Sequence, residues 1–599
     1  MNLKNILPLK GVGGSLFFFV LFCSIAFAQV NNIELPDPHP GPQEAWQQVT
    51  QPTFGWGSID VRYSRSQVPE TTQKSPLLRV WRGERVSAQA VLYTPTELSE
   101  VSFTVSDLKS GKNIIPASVV KKYFVRYVLA EPFYNKKDSL LCADRLDPAG
   151  TLKVEANTTR PIWLDIHVPA DAKPGTYQGT VTIKTLSNSP LKGEKQRSTA
   201  EGEVNSSPLR GGWEGSLPIV LQVADRVLPE PSKWAFHLDL WQNPYAVARY
   251  YDVPLWSQQH FDLMRPTMEL LAAAGQKIIT CSVISRPWNG QTFDPFESMI
   301  AKMKQLDGTW KYDYTVFDKW VEFMMSCGIT EQIDCYTLVP WHYRFDYYDC
   351  ATNSVQYLAC RPGEAKYHDF IVPFLKDFSR HLRQKGWFNR TYIAMDERPT
   401  DQMEAAWKTV QDADPEFKIE GAANYNVESE AADRVDDISV AFQYDLLNKK
   451  ALARRASKGQ KITFYTCCGP ERPNTFTFSP PAESTYLGWH ALACDYNGYL
   501  RWAYNSWPKQ PNQDSRYGNF PAGDCFLTYP EGSCIRLERL VEGIQAYEKV
   551  RLLRPTLNLK EAKQLDEMLR YFAPNTYEAD IDPVALLRKA NDLLWKLSK

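Results

Sequence analysis

Neither sign of charge prevails in this sequence: 68 Lys and Arg face 69 Asp and Glu, a formal net charge of -1 over 599 residues. That balance gives no electrostatic handle for nucleic acid or for an anionic membrane surface. Histidine is scarce. Its 8 residues are scattered with no H-E-x-x-H or comparable ligand spacing, so no metal centre is expected and the chemistry is read as metal-independent and free of cofactors. The 12 cysteines include no C-x-x-C pair, and the adjacent Cys467 and Cys468 cannot supply the paired knuckles of a zinc ribbon. Beyond residue 28 the chain has no G-x-x-x-x-G-K-[ST], G-x-G-x-x-G or G-x-S-x-G, so neither a phosphate cradle nor a nucleophile elbow is indicated.

Long apolar runs are missing too, apart from one at the amino end. Lys4 and Lys10 precede an apolar stretch from Leu16 to Phe22, and Ala26-Phe27-Ala28 precedes Gln29, the order of a secretory signal peptide. Cleavage after Ala28 is expected. The run falls short of the ~20 apolar residues a bilayer span requires, so the chain reads as exported, with a periplasmic, secreted or cell-surface destination and no transmembrane segment. Removal of Cys23 leaves an odd number of cysteines, so at least one thiol is expected to be free or intermolecular, and most are expected to be buried. The Cys350 to Cys360 spacing permits a loop disulfide.

Aromatic residues are plentiful, at 13% with 18 Trp, which suits a cleft where flat rings stack on the C–H faces of sugars, although large cores use Trp as well. Residues 29–231 alternate in short β-rich runs, such as Ala88-Gln89-Ala90-Val91-Leu92-Tyr93 and Gly179-Thr180-Val181-Thr182-Ile183, and read as a β-sandwich. Within them, the Ser/Gly/Lys/Glu-rich stretch from Leu186 to Ser216 reads as a mobile hairpin insertion.

After Pro229-Glu230-Pro231 the rhythm changes to strands alternating with helical stripes. Eight strands are predicted near 234–240, 277–283, 332–338, 391–396, 417–421, 438–442, 461–466 and 499–504. Apolar stripes such as Phe317/Trp320/Val321/Met324 and Ile371/Phe374/Phe378/Leu382 mark the helices between them, and Gly275, Gly328 and Gly386 mark helix ends. Residues 232–554 therefore read as a (β/α)8 barrel with loop insertions, with an open doubly wound sheet as the alternative. Residues 555–599 form a short helical extension packed outside it. The fold class is multidomain, a β-sandwich followed by a TIM barrel.

In a barrel the reactive groups sit at the carboxyl ends of the strands. The fourth strand ends Ala394-Met395-Asp396-Glu397-Arg398-Pro399, which puts two carboxyls where an apolar strand leaves the core. Position alone also fits a solvated strand end near the next helix. Two adjacent carboxyls are poorly placed to be the acid and nucleophile of an ordinary retaining glycosidase, which lie on separate strands about 5–5.5 Å apart. They suit substrate-assisted hydrolysis, where a 2-acetamido carbonyl attacks, one carboxylate grips the amide N–H and the other protonates the leaving oxygen. Crowding also disfavours double ionisation and keeps an acid protonated. Further pocket walls drawn from strand ends and the loops after them are Trp241, Trp341, His342, Asn424, Tyr444, Tyr465, Trp502, Asn505 and Trp507. Tyr444 and Tyr465 are the candidates for a hydroxyl on the attacking carbonyl. Asp524, after the eighth strand, lines the cleft or forms a turn with Gly523.

With these residues in place the sequence resembles glycoside hydrolase family 123, the β-N-acetylgalactosaminidases with an amino-terminal β-sandwich and a (β/α)8 catalytic barrel. The resemblance rests on Ala394-Met395-Asp396-Glu397, on Val80-Trp81-Arg82-Gly83-Glu84-Arg85, and on Gly523-Asp524-Cys525-Phe526-Leu527-Thr528-Tyr529-Pro530 followed by Ile535-Arg536-Leu537-Glu538-Arg539-Leu540. It implies release of terminal β-linked N-acetylgalactosamine from glycans or glycolipids, with retention through an oxazoline intermediate. Asp396 then looks like the group that orients the acetamido nitrogen, and Glu397 like the general acid/base. The preference for the galacto sugar rests on the resemblance alone. Rival readings are a β-N-acetylglucosaminidase, a retaining glycosidase with a separate nucleophile such as Asp445, and a non-catalytic carbohydrate-binding protein. The natural glycan and the oligomeric state are left open by the sequence.

Overall fold

The computed structural model describes residues 33–187, 212–424, 432–442, 449–573 and 582–599. The amino-terminal leader, the Ser/Gly-rich stretch over 188–211, Tyr444 and Asp445 lie outside the described residues.

The amino-terminal part is strand-rich because its apolar residues recur at every second position. In the strand Gly212–Val227, Leu217, Ile219, Leu221 and Val223 are buried while most of their neighbours face water. Its antiparallel partner Gly175–Ser187 contributes Val181 and Ile183, and the ladder between them runs from Gly175–Val223 to Leu186–Gly212. These strands belong to one sheet. A second, five-stranded sheet contains Arg85–Thr94, Thr158–His167, Val120–Ala130 and Leu140–Asp147. Ala88, Leu92, Ile162 and Leu164 from this sheet share one apolar cluster with Val181, Ile183, Leu217 and Ile219 from the first.

The second part is built on eight parallel strands: β1 (His237–Leu240), β2 (Ile278–Ser282), β3 (Gln332–Tyr336), β4 (Thr391–Met395), β5 (Lys418–Ala423), β6 (Asp437–Ala441), β7 (Lys461–Tyr465) and β8 (Gly498–Arg501). β1, β2, β3, β4 and β7 fall within predicted windows, and β5, β6 and β8 overlap theirs with boundaries shifted by one to three residues. Their order around the sheet is β1-β8-β7-β6-β5-β4-β3-β2, which brings β1 back beside β2. That last seam is a single bridge between Leu238 and Gln276, with Lys277 N–H donating to the Leu238 carbonyl at 3.1 Å. Side-chain amides complete it: Gln276 accepts from Leu240 N–H at 2.9 Å and Gln242 accepts from Thr280 N–H at 2.9 Å. The barrel is thus nearly closed, and the amides satisfy backbone groups that would otherwise be orphaned in the core.

Helices α1 (Pro244–Tyr251) and α2 (Gln258–Ala273) follow β1. Next come α3 (Thr315–Ser326) after β2, α4 (Ala365–Lys385) after β3, α5 (Thr400–Ala413) after β4, α6 (Lys449–Ser457) after β6, α7 (Pro481–Ala493) after β7 and α8 (Ile535–Leu553) after β8. The helices end where the glycines predict: Gly386 caps α4 in the left-handed region at φ 71°, and Gly328 lies just beyond α3 at φ 101°. Among the described residues, the expected (β/α)8 pattern shows no α-helix at its fifth unit, where β5 is followed only by the 3-10 turn Ala432–Arg434. The loop insertions include the strands Ala301–Lys304, Trp310–Asp313, Arg344–Asp349 and Ser354–Ala359, which form one four-stranded sheet between β2 and α4.

Beyond α8, α9 (Leu559–Leu569) and α10 (Pro583–Leu597) pack on α7 and α8. No described helix is long and apolar enough to cross a membrane.

Buried polar contacts join the two parts. Arg536 of α8 and Asp144 of the amino-terminal part are both fully buried and meet at 3.0 Å, with Tyr529 OH donating to the same carboxylate at 2.7 Å. Gln545 accepts from Arg85 N–H at 2.9 Å and returns a bond to its carbonyl at 2.8 Å. Truncating one partner of such a buried charge pair costs about 3–5 kcal/mol, because the other is stranded, so the contacts hold the junction in one arrangement.

Candidate active site

Strand β4 is buried along most of its length, and it delivers its chemistry at its carboxyl end. Successive residues there point in opposite directions, so Asp396 and Glu397 reach different groups. Asp396 is buried beneath indole rings and accepts from Trp341 Nε1 at 2.9 Å. Glu397 is half-buried and reaches across the mouth, where Tyr465 at the end of β7 donates to Oε1 and Asn424 after β5 donates to Oε2 at 3.2 Å. Arg398, the next residue, lies 5.0 Å from the Trp341 ring centre and 4.8 Å from that of Tyr343, which steadies the loop carrying Trp341.

The two carboxyls open into a cavity of about 180 Å³ lined by Trp241, Trp288, Gln291, Trp341, Ala422, Tyr465, Cys467, Cys468, Leu500, Trp502, Phe520 and Asp524. Trp241 stacks on Trp288 with ring centres 4.9 Å apart, and Trp502 leans on Phe520 at 5.1 Å. The volume lies below the ~300–1,000 Å³ of pockets for drug-sized ligands and suits one pyranose ring against apolar walls. The buried Trp288 indole N–H also faces Asp396 and favours its carboxylate form, a second indole donor beside that of Trp341.

Burial raises both carboxyls above their ordinary range. For Asp396, the Trp341 N–H, the Glu397 backbone N–H and Arg398 offset part of that rise. For Glu397, the Tyr465 hydroxyl pulls the other way and the neighbouring charge of Asp396 adds to the rise. Glu397 is therefore poised to hold a proton at higher pH than a free glutamate. Asp524 is pushed up to about 6 by burial, against the opposing charge of Arg501. It is already engaged by Arg501 at 2.8 Å and by Trp502 Nε1 at 3.2 Å, so it orients Trp502.

Of the residues expected at the pocket, the structure brings together Asp396, Glu397, Trp241, Trp341, Asn424, Tyr465, Trp502 and Asp524. His342 follows Trp341 but is not part of the lining, and its Nδ1 accepts from Arg344 N–H at 3.2 Å. Asn505 and Trp507 are corrections. Both are fully buried: Asn505 exchanges two hydrogen bonds with the Asn243 backbone at 2.8 and 2.9 Å, and Trp507 donates to the Thr528 carbonyl at 2.7 Å. Packing consumes their polar atoms, and neither touches the cavity. Sequence reasoning missed Trp288, Gln291, Phe520 and the Cys467–Cys468 pair. Trp288 and the cysteines sit in loops after β2 and β7, so reading every loop after a strand for aromatic or reactive groups would have found them.

Among the described residues one cluster has the donors for a metal ion: Asp239, Asp334 and Glu420, whose carboxylate oxygens lie within 4.8 Å of one another inside the barrel. Burial, reinforced by mutual repulsion, holds all three carboxyls above their usual range, which favours protons shared among them.

The comparisons with known proteins agree with this geometry. The profile described as "Glycoside hydrolase 123, catalytic domain" matches residues 241–553, and "Glycoside hydrolase 123 N-terminal domain" matches residues 56–185. Among solved structures, a family 123 glycoside hydrolase from Clostridium perfringens, described for glycolipid glycan hydrolysis, is 26% identical with a TM-score of 0.80. That match covers 92% of this chain and 97% of that one. A GH2 beta-galacturonidase from Eisenbergiella tayi is far more distant, at 10% identity and a TM-score of 0.28 over 78% of this chain and 90% of that one. No curated protein matches the chain. With the catalytic profile spanning just over half of its length, the chain belongs to glycoside hydrolase family 123 and is a glycoside hydrolase.

Proposed function

We propose that this hydrolase is exported and releases terminal β-linked N-acetylgalactosamine from glycans or glycolipids, with the substrate's own acetamido group as nucleophile. The observation that carries the reading is the placement of two adjacent, unequally buried carboxyls in one aromatic pocket. The remaining carboxyl in the described lining, Asp524, is tied up by Arg501.

In this scheme the sugar enters with its acetamido group over Asp396, whose carboxylate accepts the amide N–H. That contact turns the carbonyl oxygen toward C1 and offsets the positive charge that develops as it attacks. Trp241, Trp288 and Trp341 enclose the methyl group and exclude water that would compete at C1. Protonated Glu397 gives its proton to the glycosidic oxygen as the C1–O bond breaks and the oxazoline ring closes. The same residue, now a carboxylate, takes a proton from the water that opens the ring, so configuration at C1 is retained. Tyr465 and Asn424 hold Glu397 in line through both steps.

Export rests on the leader pattern of residues 1–28. The C. perfringens protein's association with glycolipid glycans supports a glycolipid or related glycan as substrate class. A thiazoline mimic of the cyclic intermediate, in galacto and gluco forms, tests the reading. Tight competitive inhibition by the galacto form is expected. Absence of inhibition by either form removes the substrate-assisted scheme, and preference for the gluco form moves the assignment to a β-N-acetylglucosaminidase.

A further inference from the structure

Eleven described cysteines are free. Most are buried, including Cys281 and Cys335, which meet between β2 and β3 in a fully enclosed part of the core. Cys467 and Cys468 differ in both respects that govern thiol chemistry: they are half-buried, and they line the cavity that holds Asp396 and Glu397. Their sulfurs are 3.8 Å apart. The segment is held on each side, with Cys467 N–H donating to the Gly469 carbonyl at 3.1 Å and Tyr134, from the amino-terminal part, donating to the Cys468 carbonyl at 3.1 Å. Tyr465, which holds Glu397, is only two residues away.

We propose that Cys467 and Cys468 form a covalent modification site in the wall of the sugar pocket, which small disulfides convert into a vicinal disulfide that impairs hydrolysis. The proposal rests on the reading of this pocket as the sugar site. The Cys467 thiol donates to Cys468 and holds the latter below the ordinary thiol range, which makes Cys468 the attacking group. Its thiolate attacks one sulfur of the small disulfide, forming a mixed disulfide and expelling one thiolate. Cys467 then loses its proton to the expelled thiolate and attacks Cys468 Sγ, expelling the second thiolate. Two electrons have passed from the cysteine pair to the small disulfide, and two small thiols result once the second takes up the proton lost from Cys468.

Closing the bond draws the sulfurs to about 2.05 Å. Adjacent α-carbons stand about 3.8 Å apart, below the ~4.4–6.8 Å that disulfides ordinarily span, so the product is strained and readily reduced. The strain falls on the turn that follows Tyr465, and turnover depends on the Tyr465 contact with Glu397.

The test uses the whole chain, fully reduced and then incubated with oxidised glutathione, with thiols trapped by an alkylating reagent before peptide mapping. Expected is a peptide containing Cys467 and Cys468 that lacks both alkyl groups and is lighter by two hydrogens, while the buried cysteines remain alkylated after unfolding. Turnover of an aryl N-acetylgalactosaminide should fall about tenfold, the size of one lost pocket contact, and return with dithiothreitol. A Cys468→Ser variant should lose no further turnover on the same treatment. Both cysteines remaining alkylatable, or a mixed disulfide that never resolves, overturns the proposal. A vicinal disulfide with unchanged turnover overturns its link to the pocket. If no aryl glycoside is turned over at all, the functional reading fails on its own, and the mass result still decides the thiol chemistry.

Discussion

Two groups of carboxyls occupy the same barrel a few residues apart along its strands, and they show what separates a working acid from a structural one. At the carboxyl end, Asp396 and Glu397 meet an open cavity, and each is held by donors from other strand ends: Trp341 for the first, Tyr465 and Asn424 for the second. Deeper inside, Asp239, Asp334 and Glu420 are sealed, and beside them Asp437 is clamped by His237 Nε2 at 2.7 Å and Gln332 at 2.9 Å. Burial raises the first five of these groups. Burial opposes ionisation of Asp437 as well, but the charges of His237 and Lys461 prevail and hold it at about 2. A raised carboxyl that no substrate can reach contributes shape and a shared proton. A raised carboxyl at a pocket mouth can hand its proton over.

The contrast breaks first at Glu397. Glu397→Gln should lower kcat toward glycosides with poor leaving groups by about 10²–10⁴-fold and much less toward activated aryl glycosides, because only the former need the proton. Equal losses for both would mean that Glu397 is not the acid. Asp396→Asn should lower kcat by about 10²–10³-fold whatever the leaving group, since the charge opposite the acetamido nitrogen disappears.

Inside the barrel, Asp437→Asn should leave the pocket intact but destabilise the fold by about 3–5 kcal/mol, because Lys461 and His237 lose their counter-charge. The sign of its pH dependence follows from its depressed pKa. The stability it contributes is complete above the unfolded value of about 3.9 and is lost as pH falls through about 2, so wild type and variant should converge at the acid end of a denaturation series.

Tyr465→Phe removes the donor that lowers Glu397, so the Glu397 pKa should rise and the alkaline limb of the pH–rate profile should move to higher pH, with about a tenfold loss at the optimum. A limb that moves to lower pH would contradict the contact.

The smallest effect is expected at Asp239→Asn. A raised carboxyl contributes stability that is present at low pH and lost as pH rises through its folded pKa. The amide should therefore cost under about 1 kcal/mol near pH 5 and flatten the decline toward alkaline pH in the same denaturation series.

The strands of this barrel were legible because their apolar runs are set off by turn residues and, for several, by a helical stripe, and the acid pair was legible because it ends such a run. The seam between β1 and β2 was hidden, since Gln242 and Gln276 close it with side-chain amides that carry no strand signature. The fifth unit was hard to read as well: among the described residues only the 3-10 turn Ala432–Arg434 lies between β5 and β6, too short to leave an apolar stripe. Tryptophan abundance pointed to a sugar cleft, yet it divides between the pocket, at Trp241, Trp288, Trp341 and Trp502, and enclosed packing at Trp163, Trp320, Trp489 and Trp507. A ring in a loop after a strand has no periodic neighbours to say which way it faces. That is why Trp507 and Asn505 were placed in the wall, and why Trp288 was not.

The most direct check is the ratio of kcat/KM for two aryl glycosides that share a leaving group and differ only at C2, one with the acetamido group and one with a hydroxyl. If the substrate supplies the attacking oxygen, the N-acetylgalactosaminide is hydrolysed with retained configuration and the plain galactoside is hydrolysed orders of magnitude more slowly. Comparable rates for the two would place the nucleophile on the protein and refute the account.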